Sequence, residues 1–233
     1  MSLVVPAVLP SSREDFEEKL GRFARIPTVS RVQIDVVDGR FATPASWPYT
    51  APQELQDMVA HGEMLPNLHQ ISYEIDLMCL DAERAADRWL ALGASRLTFH
   101  VEGLIDPSRF FASVHKRYGS DVVAFGLAIN IATDIEVIKS CLKSTAYVQF
   151  MGITTIGRQG QLLDEKVFDK VKRFRDWHPE IPLQVDGGIS LKNAHKLVAL
   201  GVSNIVVGSA LLRASDMGAE IAKFEALQTS FGV

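Results

Sequence analysis

Asp35 lies inside the apolar run Gln33-Ile34-Asp35-Val36-Val37. A carboxylate there is costly to bury unless it is paired or put to use. Asp186 closes a second apolar run and opens the triplet Asp186-Gly187-Gly188, while Asp76 stands in Glu74-Ile75-Asp76-Leu77-Met78. Two carboxylates facing each other across a ligand can take a proton from one face of a carbon and return one to the other, which is what an epimerisation needs. The plainer reading makes Asp35 a hydrogen-bonded strand aspartate and Asp186-Gly187 a turn. For Asp35 the apolar neighbours favour function. For Asp38-Gly39 the turn is favoured, because Asp-Gly is first of all a turn signal.

Three glycine-bearing segments follow later apolar runs: Gly157-Arg158-Gln159-Gly160-Gln161, Asp186-Gly187-Gly188 and Gly208-Ser209. Glycine lets an anion approach backbone N–H groups closely, so Gly160, Gly187, Gly188, Gly208 and Ser209 are candidate phosphate contacts. Any one of these glycines can equally serve a tight turn. Three together are more specific.

The elements that must position these residues are short Val/Ile-rich strands alternating with amphipathic helices. The expected strands are Leu3–Leu9, Arg31–Val37, Ile71–Met78, Arg96–Val101, Val122–Ile129, Tyr147–Ile153, Pro182–Val185 and Asn204–Val207. Apolar spacing of three and four predicts helices at Ala82–Leu92, ended by Gly93, at Asp164–Trp177, and at Leu191–Leu200, capped by Ser190 and closed by Gly201. Eight such units in 233 residues leave no room for a second domain. The prediction is an α/β protein, a single (β/α)8 TIM barrel spanning residues 1–233. An open doubly wound sheet would carry Gly-x-Gly-x-x-Gly after the first strand, where this chain has Pro10-Ser11-Ser12-Arg13. In a barrel the loops after the strands build the site, which is where Asp35, Asp76, His100, Asp186 and the glycines fall. Strands two and seven would set Asp35 and Asp186 on roughly opposite sides of the ring.

Charge bounds the ligands. Twenty-four basic against 28 acidic residues give a net charge of −4, so no broad basic field exists to hold nucleic acid or an anionic membrane. An anionic ligand must be met locally. Two cysteines, Cys79 and Cys141, are no disulfide framework and point to a reducing cytoplasm. The apolar N-terminal decapeptide lacks a basic region and is broken by Pro6 and Pro10, so it is expected to be a core strand and not an address. No apolar run is long enough to span a membrane. His61, His69, His115, His178 and His195 are expected at the surface. Phe110, Phe111 and Trp177 are expected either as core or as anchors for a homo-oligomer.

The chain resembles the ribulose-phosphate 3-epimerase family nearly end to end. The carrying segments are Gln33–Phe41, Asp76-Leu77-Met78, Thr98–Glu102, Gly126–Asn130, Met151–Gln161, and above all Val185-Asp186-Gly187-Gly188-Ile189 and Val207-Gly208-Ser209-Ala210. The resemblance implies C3 epimerisation of a ketose phosphate through an enediolate, with Asp35 and Asp186 as the acid–base pair. It also implies Gly187, Gly188, Gly208 and Ser209 at the phosphate. The family's metal site adds two histidines to the two aspartates, and here Gln33 and Asp76 stand in their places. The family serine after the first proline is Ala7, and the loop after strand six is one residue longer. Gln33, Asp35, Asp76 and Asp186 form an all-oxygen ligand set that suits Mg²⁺ or Mn²⁺ better than Zn²⁺. The other expectation is a protonated carboxyl that donates to the substrate. No organic cofactor is expected. Related barrels that cleave or decarboxylate sugar phosphates carry Asp-x-Lys-x-x-Asp, where this chain has Met78 in place of the lysine. A barrel that binds a phosphometabolite without turnover is the third reading.

Overall fold

The computed structural model describes residues 2–119 and 122–229. In each strand alternate residues point to opposite faces, and in this chain the two faces differ in chemistry. Ile34 and Val36, Ile75 and Leu77, Leu97 and Phe99, Val148 and Phe150 belong to one continuous apolar core. The residues between them, Gln33, Asp35, Glu74, Asp76, Thr98, His100 and Gln149, are buried as well but polar. A sheet with one apolar and one polar buried face closes on itself so that helices cover the apolar side. Eight parallel strands form that closed barrel in chain order, from β1 through β8 and back to β1.

The strands are β1 (Val4–Val8), β2 (Arg31–Val37), β3 (Ser72–Met78), β4 (Arg96–His100), β5 (Ala124–Ile129), β6 (Tyr147–Met151), β7 (Leu183–Asp186) and β8 (Asn204–Val207). The helices are α1 (Arg13–Ala24), α2 (Pro52–Ala60), α3 (Ala82–Ala91), α4 (Pro107–Tyr118), α5 (Lys166–Trp177), α6 (Leu191–Ala199), α7 (Ser209–Leu212) and α8 (Met217–Thr229). The (β/α)8 TIM barrel read from the alternation is therefore the fold. The expected strands all form, their ends moving by a residue or two at most. Asp186 is the last residue of β7 and not the first of a turn.

Helix α3 illustrates the outer layer. Ala82, Ala85, Ala86 and Trp89 are buried at helical spacing, and Gly93 follows the helix at φ +98°. Trp89 packs edge-on against Trp47 at 6.0 Å and Phe16 at 6.1 Å between ring centres. Burying a side chain of that size contributes roughly 2–3 kcal/mol. The N-terminal segment is core as expected, every residue of β1 being buried.

The barrel interior has two polar layers and one apolar wall. The wall is Val5, Ala7 and Val206, a small cluster separate from the main core. In the lower layer Glu74 accepts from Arg96 Nε at 2.8 Å and from Thr98 Oγ1 at 3.2 Å, with Arg31 3.9 Å away. The Arg96 guanidinium lies 4.1 Å over the Tyr147 ring, and Tyr147 Oη meets Thr98 Oγ1 at 2.7 Å. Residue 126 must be glycine for this, since a Cβ there would lie 2.2 Å from Tyr147 Cζ. Burial opposes ionisation of Glu74, but Arg96, Arg31 and the hydrogen bonds outweigh it and hold its carboxyl below the usual range.

Two surface expectations need correction. His115 is half-buried, its Nε2 2.6 Å from Ser144 O and its ring edge-on to Phe125. His178 is half-buried too, its ring 5.2 Å from that of Phe174. Of the two expectations for Phe111 the core one holds, since it is fully buried, and Phe110 is half-buried against Phe99. Trp177 is 49% exposed beneath the Arg173 guanidinium.

Candidate active site

The upper polar layer is acidic. Parallel pairing sets Asp35 level with Asp76, while Asp186 ends β7. One oxygen from each of Asp35, Asp76 and Asp186 lies within 4.8 Å of the others. Strands β2 and β7 are three steps apart in the eight-strand ring, by way of β8 and β1, so the two carboxylates come from roughly opposite sides, as expected, and their oxygens converge in the interior. Gln33 links them. Its Nε2 donates to Asp35 Oδ1 and to Asp186 Oδ2, both at 2.8 Å, and its Oε1 is buried without a partner.

Asp76 is held from two sides, by Gln149 Nε2 at 3.0 Å and by His100 Nε2 at 2.9 Å. His100 packs beside Phe41 at 5.4 Å. Burial disfavours the charged imidazole, but the Asp76 carboxylate and its hydrogen bond outweigh this and raise the His100 pKa. Gln149 Oε1 accepts from Gln184 Nε2 at 2.6 Å, and the same nitrogen donates to Glu74. A line of amides thus ties the acidic mouth to the layer beneath it.

Burial raises the Asp35 carboxyl well above its usual range, reinforced by the charges of Asp186 and Asp76. Burial, then Asp76, pushes Asp186 up to about 7. A carboxyl pair whose pKa values are both raised keeps a proton near neutrality, as an acid–base pair requires.

The three carboxylates could hold a metal ion, and their oxygens suit a hard divalent cation. Gln33 turns its nitrogen to the aspartates, the arrangement two carboxylates select from an amide. Exchanging its amide ends would offer Oε1 as a further oxygen ligand.

The glycine segments meet at the same mouth. A cavity of about 50 Å³ touches Asp35, Asp186, Gly160, Gly188, Gly208 and Ser209. Gly188 has φ +73°, and a Cβ there would lie 2.3 Å from Leu163 N. A Cβ on Gly208 would lie 2.7 Å from Gln159 Nε2, so the longer loop after β6 reaches over the segment after β8. Among the described residues nothing accepts from the backbone N–H groups of Ser209 and Ala210. Met78 lines the cavity too, as does Ala7. Asp38 forms the expected turn, its Oδ1 accepting from the N–H groups of Arg40 and Phe41.

Gln149, Gln184 and Phe41 were not singled out in the sequence. The signal available for the two glutamines was polar residues at alternate positions, Tyr147-Val148-Gln149 and Gln184-Val185-Asp186, which places them on the interior face.

Fold and site together define a (β/α)8 barrel with a buried acidic cluster and three glycine loops at one mouth. A model of the Ribulose-phosphate 3 epimerase family matches residues 3–212, and the chain belongs to that family. It is 24% identical over 213 residues to the ribulose-phosphate 3-epimerase of Schizosaccharomyces pombe, covering 91% of this chain and 88% of that one. It is 25% identical over 234 residues to that of Aquifex aeolicus, covering 99% and 98%. The 3-hexulose-6-phosphate synthase of Salmonella typhimurium shares the fold at a TM-score of 0.66 and 15% identity, covering 99% of this chain and 100% of that one. Among the described residues no helix is long and apolar enough to cross a membrane.

Proposed function

We propose that this chain is a cytoplasmic ketose-phosphate 3-epimerase, carried by one domain over residues 1–233. The observation that carries the reading is the buried Asp35–Asp186 pair, joined through one Gln33 amide with both carboxyl pKa values raised. Of the pair, the ionised carboxylate removes the C3 proton, the electrons pass into an enediolate, and the protonated partner returns a proton to the opposite face of C3. The two exchange protonation states in one turnover, and the reverse reaction restores them. Asp76, held by His100 and Gln149, supplies the negative charge that keeps a proton on the pair.

Asp35, Asp186, Asp76 and, with its amide reversed, Gln33 would hold Mg²⁺ or Mn²⁺ in preference to Zn²⁺. Bound there, such a cation would supply positive charge against the enediolate oxygens. Gly187, Gly188, Gly208, Ser209 and Gly160 take the phosphate through backbone N–H groups, which spares a negatively charged protein a dedicated basic field. Met78 in place of a lysine leaves a decarboxylating lyase without its proton donor.

The test is incubation with ketopentose and ketohexose phosphates in D₂O with Mg²⁺ or Mn²⁺, followed by NMR at C3. Deuterium enters C3 with the native chain and not with Asp186→Asn. No exchange with any of these substrates, alongside measurable binding of the esters and no cleavage products, overturns the reading in favour of a binding barrel without turnover.

A further inference from the structure

A second, larger cavity adjoins the glycine loops on the side away from the aspartates. It has a volume of about 490 Å³ and shares Gly160, Gly188, Ser209 and Ala210 with the smaller one, so the glycine cradle is a common wall. Beyond that wall the chemistry changes sign. The smaller cavity is bounded by Asp35 and Asp186, with Arg158 its one basic residue, whereas the larger is bounded by Lys192, Lys196, Arg213 and His195, with Glu165 its one acidic residue.

These cations are not paired with carboxylates. Among the described residues the salt bridges involve Arg13, Lys19, Arg31, Arg96, His100, Arg117, Lys139, Arg173 and Lys223, and none involves Lys192, Lys196 or Arg213. Arg213 lies at the wall itself. Its Nη2 is 3.3 Å from Ser209 Oγ, and its Nη1 is 3.7 Å from where a Gly160 Cβ would stand. Lys196 Nζ sits 3.8 Å over the Phe168 ring, which holds that charge on the cavity surface. In a chain of net charge −4, three unpaired cations gathered behind an anion cradle exceed what a single phosphate cushioned by backbone N–H groups requires.

We infer that this cavity is a second anion subsite, and that the chain takes organic diphosphates, in which the phosphorus seated at the glycine wall carries a further anionic group lying among Lys192, Lys196 and Arg213. The inference rests on the reading of the glycine loops as the phosphate cradle, and it narrows the substrate class of the same site.

The experiment is calorimetric titration with inorganic phosphate and inorganic pyrophosphate in metal-free buffer. Pyrophosphate binds the native chain about tenfold more tightly than phosphate, or more, the scale of one or two charge-assisted contacts. In the double variant Lys192→Gln/Arg213→Gln the ratio falls below about threefold, while Lys192→Arg/Arg213→Lys retains most of it. Equal binding of the two anions by the native chain, no binding of either, or a ratio that survives the charge-removing double variant overturns the inference. The C3 exchange assay separates the two readings. Exchange without a pyrophosphate preference removes only the second subsite, and a preference without exchange on either the ketose phosphates or the matching ketose diphosphates removes only the epimerase.

Discussion

The barrel interior buries one carboxylate in its lower layer and three in its upper, and the two layers are treated in opposite ways. Glu74 in the lower layer is met by Arg96, Arg31, Thr98 and Gln184, which together hold it ionised. One rung of the side-chain ladder higher, Asp35, Asp76 and Asp186 crowd within 4.8 Å and receive amide nitrogens and an imidazole but, among the described residues, no guanidinium. The same fold could have neutralised both layers. What differs is whether charge is finished within the protein or left for a proton, a cation or a ligand to finish. On the proposed reading the lower layer serves structure and the upper one reaction, and identical carboxyl-to-amide changes should distinguish them.

The largest effect belongs to the upper layer. Asp186→Asn keeps an oxygen to accept from Gln33 but removes the exchangeable carboxyl, and should lower C3 exchange by about 10³-fold, or ~4 kcal/mol of barrier. Steady-state kinetics on purified variant and native chain measure it. A loss below about tenfold would mean that Asp186 is not an acid–base group.

Glu74→Gln comes next and should act on stability. It leaves Arg96 and Arg31 facing a neutral amide inside the barrel, and removing one partner of a buried pair costs about 3 kcal/mol. Urea denaturation should show a lower midpoint at unchanged slope. An unchanged midpoint would mean that the two arginines find solvent and that the lower layer is not a charge-balanced unit.

Gly126→Ala tests the same layer through sterics. The added methyl meets the Tyr147 ring, and overpacking of this kind costs about 2 kcal/mol unless the ring moves. The paired change Gly126→Ala/Tyr147→Phe should recover little, because a Cβ also falls 2.3 Å from Tyr147 Cε2, which phenylalanine retains.

Much of this contrast was legible in the sequence alone. The eight units, and hence the barrel, follow from strand–helix alternation, and Asp35 declared itself by standing between Ile34 and Val36. Asp186 was found from its glycines. The lower layer was not legible, because Glu74 and Arg96 are ordinary residues in sequence and become informative only when parallel pairing sets them side by side. Gln149 and Gln184 escaped for the same reason, each needing the closed ring to bring β3, β6 and β7 face to face. The expectation that β2 and β7 stand on roughly opposite sides holds, three steps apart where four is the most the ring allows, and what the sequence does not show is how closely their carboxylates converge inside it. The surface expectation fails for His115 and His178, which are half-buried against Phe125 and Phe174, and holds for His61, His69 and His195.

The smallest effect is also the one in which the two layers oppose each other in sign. Glu74 has a folded pKa below its unfolded value of 4.5, so its contribution is present above that pH and is lost as pH falls through the lower folded value. Asp186 has a folded pKa raised from 3.8 to about 7, so folding is favoured while it is protonated, and that contribution is lost as pH rises from 3.8 through about 7. Replacing Glu74 by glutamine should therefore flatten the acid limb of the stability profile. Replacing Asp186 by asparagine should flatten the limb approaching neutrality and make the chain about 1 kcal/mol more stable above pH 7, because a carboxylate among carboxylates has been removed. Urea midpoints measured across the acid and neutral ranges read both limbs at once. A destabilised Asp186→Asn variant above neutrality would show that the upper layer is as well compensated as the lower, and the division between a structural and a reactive layer would fall.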